Sequence, residues 1–558
     1  MRHTFDSDNH ATLQVKLFHA EDDIGEGTLT FGYSCLARVV LDGFGLEIEL
    51  DDSQLAAGLL AIAADGRKLS LFNCECKGRT IFPGFVIEGD VRGSQFDSFK
   101  VRYSIVSEWF FQQMHVDGLP GEEIKWRAVP TPMAAKVVTP SHNFQLDSFY
   151  VGGLEQAGED RTLHQHFEFR FTATKDRFLP AQIKQHVLRF SNLLSILLAH
   201  RCPIVLVDVS SDGKNHRRMY YGIFEPPPNG GQPQHDRDQV TWRKFLALKG
   251  DVDGCWDDLV NRFFRSEYRE VVWSRLAGMQ NYEGFWEYRV LGYVTLLDSY
   301  VSQRFGKSST PKTPPTKKLV RLQESIANVQ PSLDSAQQAA VLNAASQIFS
   351  TSGTFASKFR ALLDSLDQDV VKIISLTQAD FDLIKELRDE IAHGQQPTFA
   401  GPDFTPVVLI TNRIILLLTH LFFLDVGLGP EIFLRCLARP FSELRMISKI
   451  DEVHLDRTLH PERFFKVGPQ ELLTIQQRPP RLHCSCFVRD TAGTITYSEE
   501  RSSDLWHATR ASGGGQFHEL LGLPKDAVTH LGEAYFEDGV QTERVHSTVI
   551  VDLARVPA

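Results

Sequence analysis

Residues 377–396 read TQADFDLIKELRDEIAHGQQ, and this stretch decides the character of the chain's second half. Thr377, followed three residues later by Asp380, makes a capping-box-like helix start. Phe381, Ile384, Leu387 and Ile391 recur at helical spacing and form one apolar stripe. Gly394 stands where a helix exits through a left-handed residue. Inside the helix, Arg388 and His393 enclose four residues, and Asp389 directly follows the arginine.

Taken alone, that spacing is poor evidence. With four to six residues allowed between Arg and His, the chain also offers Arg161/His166, Arg413/His420, Arg478/His483 and Arg501/His507. The first lies in a strand-like run, the second in an apolar helix, the third is interrupted by two prolines, and the fourth is in a polar loop. Only Arg388/His393 combines a helix, a polar residue after the arginine and a glycine stop. On a regular helix, residues five apart are about 140° apart around the axis, so the two do not share a face. Either Gly394 lets the last turn unwind, or the site is shared between two copies of the chain.

Outward from this helix, residues 241–450 keep a helical period. Candidate helices cover 255–280, 283–305, 319–327, 335–350, 356–365, 378–392, 406–424 and 430–446. The stretch 306–318, GKSSTPKTPPTKK, is polar, basic and Pro-rich, and reads as a flexible insertion. Residues 407–424, VVLITNRIILLLTHLFFL, are as long as a membrane span. They carry Asn412, Arg413 and His420, however, and a central arginine is costly in lipid. A buried core helix is expected there, with Arg413 and His420 as buried, hydrogen-bonded groups.

The opening ~175 residues change period to that of strands. TLQVKLF, GTLTFGY, ARVVLDGFGLEIEL, KLSLFNCEC, TIFPGFVIEGDV, FKVRYSIVSEWF and HFEFRFTAT are β-branched or aromatic and often alternate. An antiparallel sandwich or open barrel is the expected product, followed by a helix at 181–199 and strands at 203–209 and 220–224. The run 226–234, PPPNGGQPQ, reads as a linker. The expected fold class is therefore α+β multidomain: a β-rich domain over 1–240, a helical bundle over 241–450, and a mixed tail over 451–558 in which 501–515 looks like a loop. A length of 558 residues agrees with two or three domains.

Composition narrows the function classes. The net charge of −11 argues against sequence-blind coating of nucleic acid. Eight cysteines, two pairs of them as CxC, do not make a disulfide framework. The first residues lack an apolar signal-peptide core, so a reducing cytoplasm is expected. Cys74-x-Cys76 and His483-Cys484-x-Cys486 have tighter spacing than zinc pairs and read as structural. His164-x-His166 reads as strand filling, and Lys214, His216, Arg217 and Arg218 as a solvated basic loop. No P-loop, dinucleotide fingerprint, HExxH or GxSxG arrangement stands out.

The Arg-polar-x-x-x-His element on a late helix of an all-α bundle resembles the catalytic signature of the HEPN superfamily. The helix over 283–305, with Asp298 and Tyr300 in LLDSYV, resembles that family's opening helix. The β-rich front, with GEGTLTF and KLSLFNCEC, resembles the N-terminal domain that precedes HEPN in ApeA-type defence proteins. The resemblance covers residues 1–447 and implies a metal-independent endoribonuclease with no cofactor. Its partners would be RNA (transfer RNA is the superfamily's suggestion), a phage-derived trigger, and a second copy in a homodimer, with no membrane. Histidine, which ordinarily titrates near ~6.5, suits proton transfer at the ribose 2′-OH or the leaving oxygen, the role implied for His393. Arg388 would stabilise charge on phosphorus, and Asp389 would orient either group. A non-catalytic HEPN-fold scaffold or sensor is the alternative. A carbohydrate- or peptide-binding β domain with a helical appendage is a third reading.

Overall fold

The computed structural model describes residues 10–32, 35–42, 58–93, 95–112, 129–140, 143–157, 160–222, 241–280, 284–306, 354–394, 404–479 and 484–556. It adds short pieces at 116–117, 125–126, 282, 324–325, 336–337 and 340–341. The sequence expectations for 226–234, for 307–318 and for most of 319–327 and 335–350 fall outside the described residues. Two compact units emerge, Met1–Ile450 and Asp451–Ala558.

The first unit opens with a closed barrel rather than an open one. Its strands are β1 (His10–His19), β2 (Asp22–Gly32), β3 (Arg38–Leu41), β4 (Leu59–Ala63), β5 (Lys68–Lys77) and β6 (Thr80–Glu88). They run β6-β3-β2-β1-β4-β5, and pairing of β5 with β6 closes the ring. Alternation drives this: Val15, Leu17, Leu29, Phe31, Val39, Leu69 and Leu71 point into one apolar core. A Cβ on Gly27 of β2 would sit 2.5 Å from the Val40 carbonyl oxygen, so the close approach of β2 to β3 requires glycine.

Beyond β6 the sheet continues through β14 (Arg217–Tyr220), β13 (Ile204–Ser210), β7 (Ser98–Tyr103), β12 (Asp160–Ala173), β11 (Asn143–Ala157) and β10 (Ala134–Val138). A separate two-stranded ribbon pairs β8 (Val116–Asp117) with β9 (Lys125–Trp126). Strand β7 stops at Tyr103, short of the expected run to residue 110. Helix α1 (Val106–Phe111) follows and buries Trp109, whose indole donates to the Ala247 carbonyl at 3.0 Å. Helix α2 (Pro180–Leu198) covers the inner sheet face. Phe99 stacks on Phe171 with ring centroids 4.4 Å apart, and Phe190 meets Phe169 edge-on at 4.6 Å. Each such buried ring stabilises the fold by about 1.5–3 kcal/mol.

The helical part comprises α3 (Trp256–Arg265), α4 (Ser274–Met279), α5 (Trp286–Gly306), α6 (Phe355–Asp364), α7 (Gln368–Ile374), α8 (Gln378–Ala392), α9 (Thr405–Asp425), α10 (Pro430–Ala438) and α11 (Glu443–Ser448). The helix expected over 255–280 is broken at Ser266, which leaves helical geometry, and a π-turn spans Arg269–Trp273. The helix expected over 430–446 is broken at Arg439, held extended because Pro440 follows it. Helix α9 is long and apolar enough to cross a membrane by composition. It is instead packed on by α2, α5, α8, α10 and α11 and largely buried.

The second unit holds a mixed sheet, β15 (Phe464–Lys466), β18 (Val528–Glu537), β19 (Thr542–Asp552), β16 (Ser485–Arg489) and β17 (Ile495–Tyr497), in that order. Helices α12 (Glu452–Leu459), α13 (Pro469–Gln476), α14 (Glu499–Ser512) and α15 (Phe517–Leu520) accompany it. Most of the region expected as a loop over 501–515 is α14, capped by Ser498 and ended by left-handed Gly513. The chain is thus α+β, with a β-rich front, a helical middle and a sheet-bearing tail.

Candidate functional site

Helix α8 begins as its sequence dictates. The Thr377 hydroxyl accepts from the Asp380 amide at 3.1 Å, and the Asp380 carboxylate accepts from the Thr377 amide at 3.0 Å. Phe381, Ile384 and Leu387 are buried, and Phe381 lies flat on Phe359 of α6 with centroids 4.0 Å apart. The apolar stripe therefore fixes the rotation of α8 and turns Arg388 toward α5.

There Arg388 bridges two carboxylates. Its Nη2 is 3.3 Å from Asp298 Oδ2 on α5, and its Nη1 is 2.8 Å from Asp389 Oδ1. Lys385 Nζ lies 3.4 Å from the other Asp389 oxygen. The hydrogen bond from Arg388, with Lys385 nearby, holds the Asp389 carboxyl below its ordinary range. Behind Asp298, the Ser302 hydroxyl donates to Oδ1 at 3.2 Å and accepts from Lys358 Nζ of α6 at 3.2 Å. Three helices thereby fix one guanidinium. Asp382, on the same helix, accepts from Gln378 at 2.8 Å.

His393 is the residue at which α8 ends, with φ −92° and ψ 6°, and Gly394 follows at φ +66°. Its side chain is exposed and makes no hydrogen bond or ion pair among the described residues. Arg388 and Asp389 are thus brought together, while His393 stands apart at the helix exit. Tyr300, two residues beyond Asp298, faces elsewhere: it is buried against Tyr268 and Trp273 and receives a hydrogen bond from Arg304.

The other candidate residues resolve differently. Arg413 of α9 is hydrogen-bonded as expected, donating to the Ser375 carbonyl at 2.7 Å and reaching the Ser448 and Lys449 carbonyls at 3.4 Å. His420 is buried but not hydrogen-bonded: among the described residues both ring nitrogens lack partners, and the ring packs on Phe433. Burial pushes its pKa down to about 4. All eight cysteines are free, and burial raises the thiol pKa of Cys74 and Cys486 to about 12. His483 lies outside the described residues. His166 pairs with Glu168 at 3.0 Å, and Arg218 with Asp208 at 2.5 Å. Among the described residues, no group of three or more His, Cys, Asp or Glu is placed to hold a metal ion.

Sequence reasoning did not single out Ser302, Lys358 or Lys385. Asp298 did carry a signal, being a carboxylate set within the apolar run VLGYVTLLDSYV of α5.

Comparison with known proteins supplies one match. Residues 14–263 match the family model described as ApeA N-terminal domain 1. The chain carries this domain, and the resemblance to ApeA-type proteins is borne out over that stretch, which includes the barrel, the second half of the sheet and most of α3. No curated protein and no solved structure matches the chain.

Proposed function

We propose that the chain is a defence protein of the ApeA type whose helical part is a HEPN endoribonuclease, cutting RNA without a metal. The observation that carries this reading is the Arg388 guanidinium, held by Asp298 and Asp389 beside a helix exit that presents His393 to solvent. The ApeA N-terminal domain supports the defence role. In the proposed reaction the ribose 2′-oxygen attacks phosphorus and the bond to the 5′-oxygen breaks. The 2′-OH proton passes to a base and the leaving oxygen gains a proton, giving a 2′,3′-cyclic phosphate and a 5′-hydroxyl. His393 serves one of these transfers, and Arg388 neutralises charge on the phosphoryl oxygens. A homodimer supplies a composite cleft, which removes the need for Arg388 and His393 of one copy to share a face. Transfer RNA is the proposed substrate class, the cytoplasm the proposed compartment, and the N-terminal domain the sensor of a phage cue.

A non-catalytic scaffold is favoured by one observation: no described residue orients the His393 imidazole. Induction of wild type, Arg388→Ala and His393→Ala in bacteria, with and without phage, separates the readings. New 2′,3′-cyclic RNA ends in wild type alone support the nuclease. Identical RNA profiles in all three strains, with the phage response intact, overturn it.

A further inference from the structure

The outer face of the second half-sheet carries a cluster of cations, with Glu168 the one described carboxylate whose field is felt by Lys100 and Arg102. Along β7, Lys100 and Arg102 alternate with buried Phe99, Val101 and Tyr103, so they point away from α2. Register sets Arg170 of β12 directly opposite Lys100. Both turn onto one ring: Lys100 Nζ is 5.1 Å and Arg170 Cζ 4.9 Å from the centroid of Phe149. Like charges on facing strand positions destabilise a sheet unless an anion joins them.

Nearby carboxylates have closer partners elsewhere, although Glu168 also feels the charge of Lys100 and Arg102. Asp208, beside Lys100 in register, is held by Arg218 at 2.5 Å. Asp147, beside Arg170, accepts from Gln145 at 2.9 Å, and Glu168 is bound to His166 at 3.0 Å. Among the described residues, no carboxylate stands within ion-pair distance of Lys100, Arg102 or Arg170. The Nε atoms of Arg102 and Arg170 and the Nε2 of His216 are buried without a hydrogen-bond partner among the described residues. Leaving such donors unmet is costly in the absence of a ligand. The pKa of His216 is lowered by burial and then by the positive field of Lys100 and Arg170.

We propose that Lys100, Arg170 and Arg102, with His216 at the margin, form a binding site for a phosphate group. An ammonium and a guanidinium set on facing strand positions suit a dianion, whose several oxygens can meet both at once. This site stands on the ApeA-type domain and does not rest on the nuclease reading.

The test is calorimetric titration of the full chain at fixed ionic strength with inorganic phosphate, ATP and a 5′-phosphorylated RNA decamer. Wild type is compared with the Lys100→Gln/Arg170→Gln double variant and with Lys77→Gln, an exposed control on β5 of the barrel. At least one probe is expected to saturate wild type and the control, with the double variant weakened about tenfold or more. Saturation by all three probes assigns the site to bare phosphate, by ATP and RNA to a nucleotide, and by RNA alone to a polynucleotide backbone. Each supports the proposal. Should the double variant fail to fold, Lys100→Gln alone reads the same loss. No binding of any probe by wild type, or undiminished binding by the variants, overturns it.

Discussion

Arg388 and Asp298 stand ninety positions apart in the chain and meet at 3.3 Å, the guanidinium of α8 against the carboxylate of α5. The contact joins the two helices through a charged group set at the rim of their apolar interface. Asp389 holds the other side of the same guanidinium, so Arg388 has little freedom to rotate.

Asp298→Asn tests what that restraint does. Both side chains are about a third exposed or less, at 27% for Arg388 and 30% for Asp298. A partly solvated pair of this kind stabilises by about 1 kcal/mol at most, so the melting temperature should fall by only a few degrees. Under the proposed reaction the yield of cyclic RNA ends should fall much further, because the guanidinium gains freedom. Wild-type yields in Asp298→Asn would show that fixing Arg388 is not needed for cleavage.

Arg413→Ala is expected to be far more damaging to the fold. Its guanidinium serves carbonyls at two helix ends, Ser375 after α7 and Ser448 with Lys449 after α11. Ser375 and Lys449 are both left-handed caps, with φ of 59° and 44°. Truncation leaves the partly buried Ser375 and Ser448 oxygens without this donor, at a cost of about 2–4 kcal/mol, while water can replace it at exposed Lys449. Arg413→Lys should recover only part of it, since one ammonium cannot replace the planar fork. Chemical denaturation of the three proteins checks the order; an Arg413→Ala midpoint equal to wild type would remove the capping role.

What the sequence disclosed follows the range of each interaction. The Thr377–Asp380 cap and the Gly394 stop are complete within a few residues, and both stand as read. The Asp298–Arg388 pair is non-local, and no spacing rule reaches across ninety positions. The barrel's long-range pairing is hidden for the same reason: alternation marks β1 as a strand, but the uniformly apolar LLAIA of β4 does not alternate and is not legible as one, and nothing local pairs Val15 with Ala63. Helix α14 escaped because it buries little, chiefly Ser502 and Leu505, so its apolar period is faint. For His420 the sequence showed burial in an apolar helix. That no described donor or acceptor bonds its ring depends on Phe433 and other residues distant in the chain.

His420 makes the fold sensitive to acid. Its pKa falls from an ordinary value near ~6.5 to about 4 in the folded chain, where burial disfavours the charged ring. Above pH ~6.5 both states are neutral and the histidine contributes no pH dependence. As pH falls toward 4, the unfolded state takes up the proton first, so stability is lost across that window. The loss reaches about 3 kcal/mol at its lower end. Replacing His420 with leucine should flatten the fall between pH 6.5 and 4. Parallel stability–pH curves for wild type and variant would place the acid sensitivity elsewhere.

His393→Ala offers a cleaner readout of the proposed chemistry than any substitution at Arg388. The imidazole is exposed and makes no hydrogen bond or ion pair with described residues, and its backbone amide donates to the Asp389 carbonyl whatever side chain it bears. Truncation at such a site shifts stability by about 0.5 kcal/mol or less, so the melting temperature should match wild type. Loss of cyclic RNA ends in a protein that melts normally then has to be assigned to the missing proton carrier. Arg388→Ala lacks this property, since it also leaves Asp298 and Asp389 without their shared partner. Retention of cyclic ends by His393→Ala, at wild-type abundance and melting temperature, would remove His393 from the reaction. It would leave Arg388 as a structural link between α5 and α8.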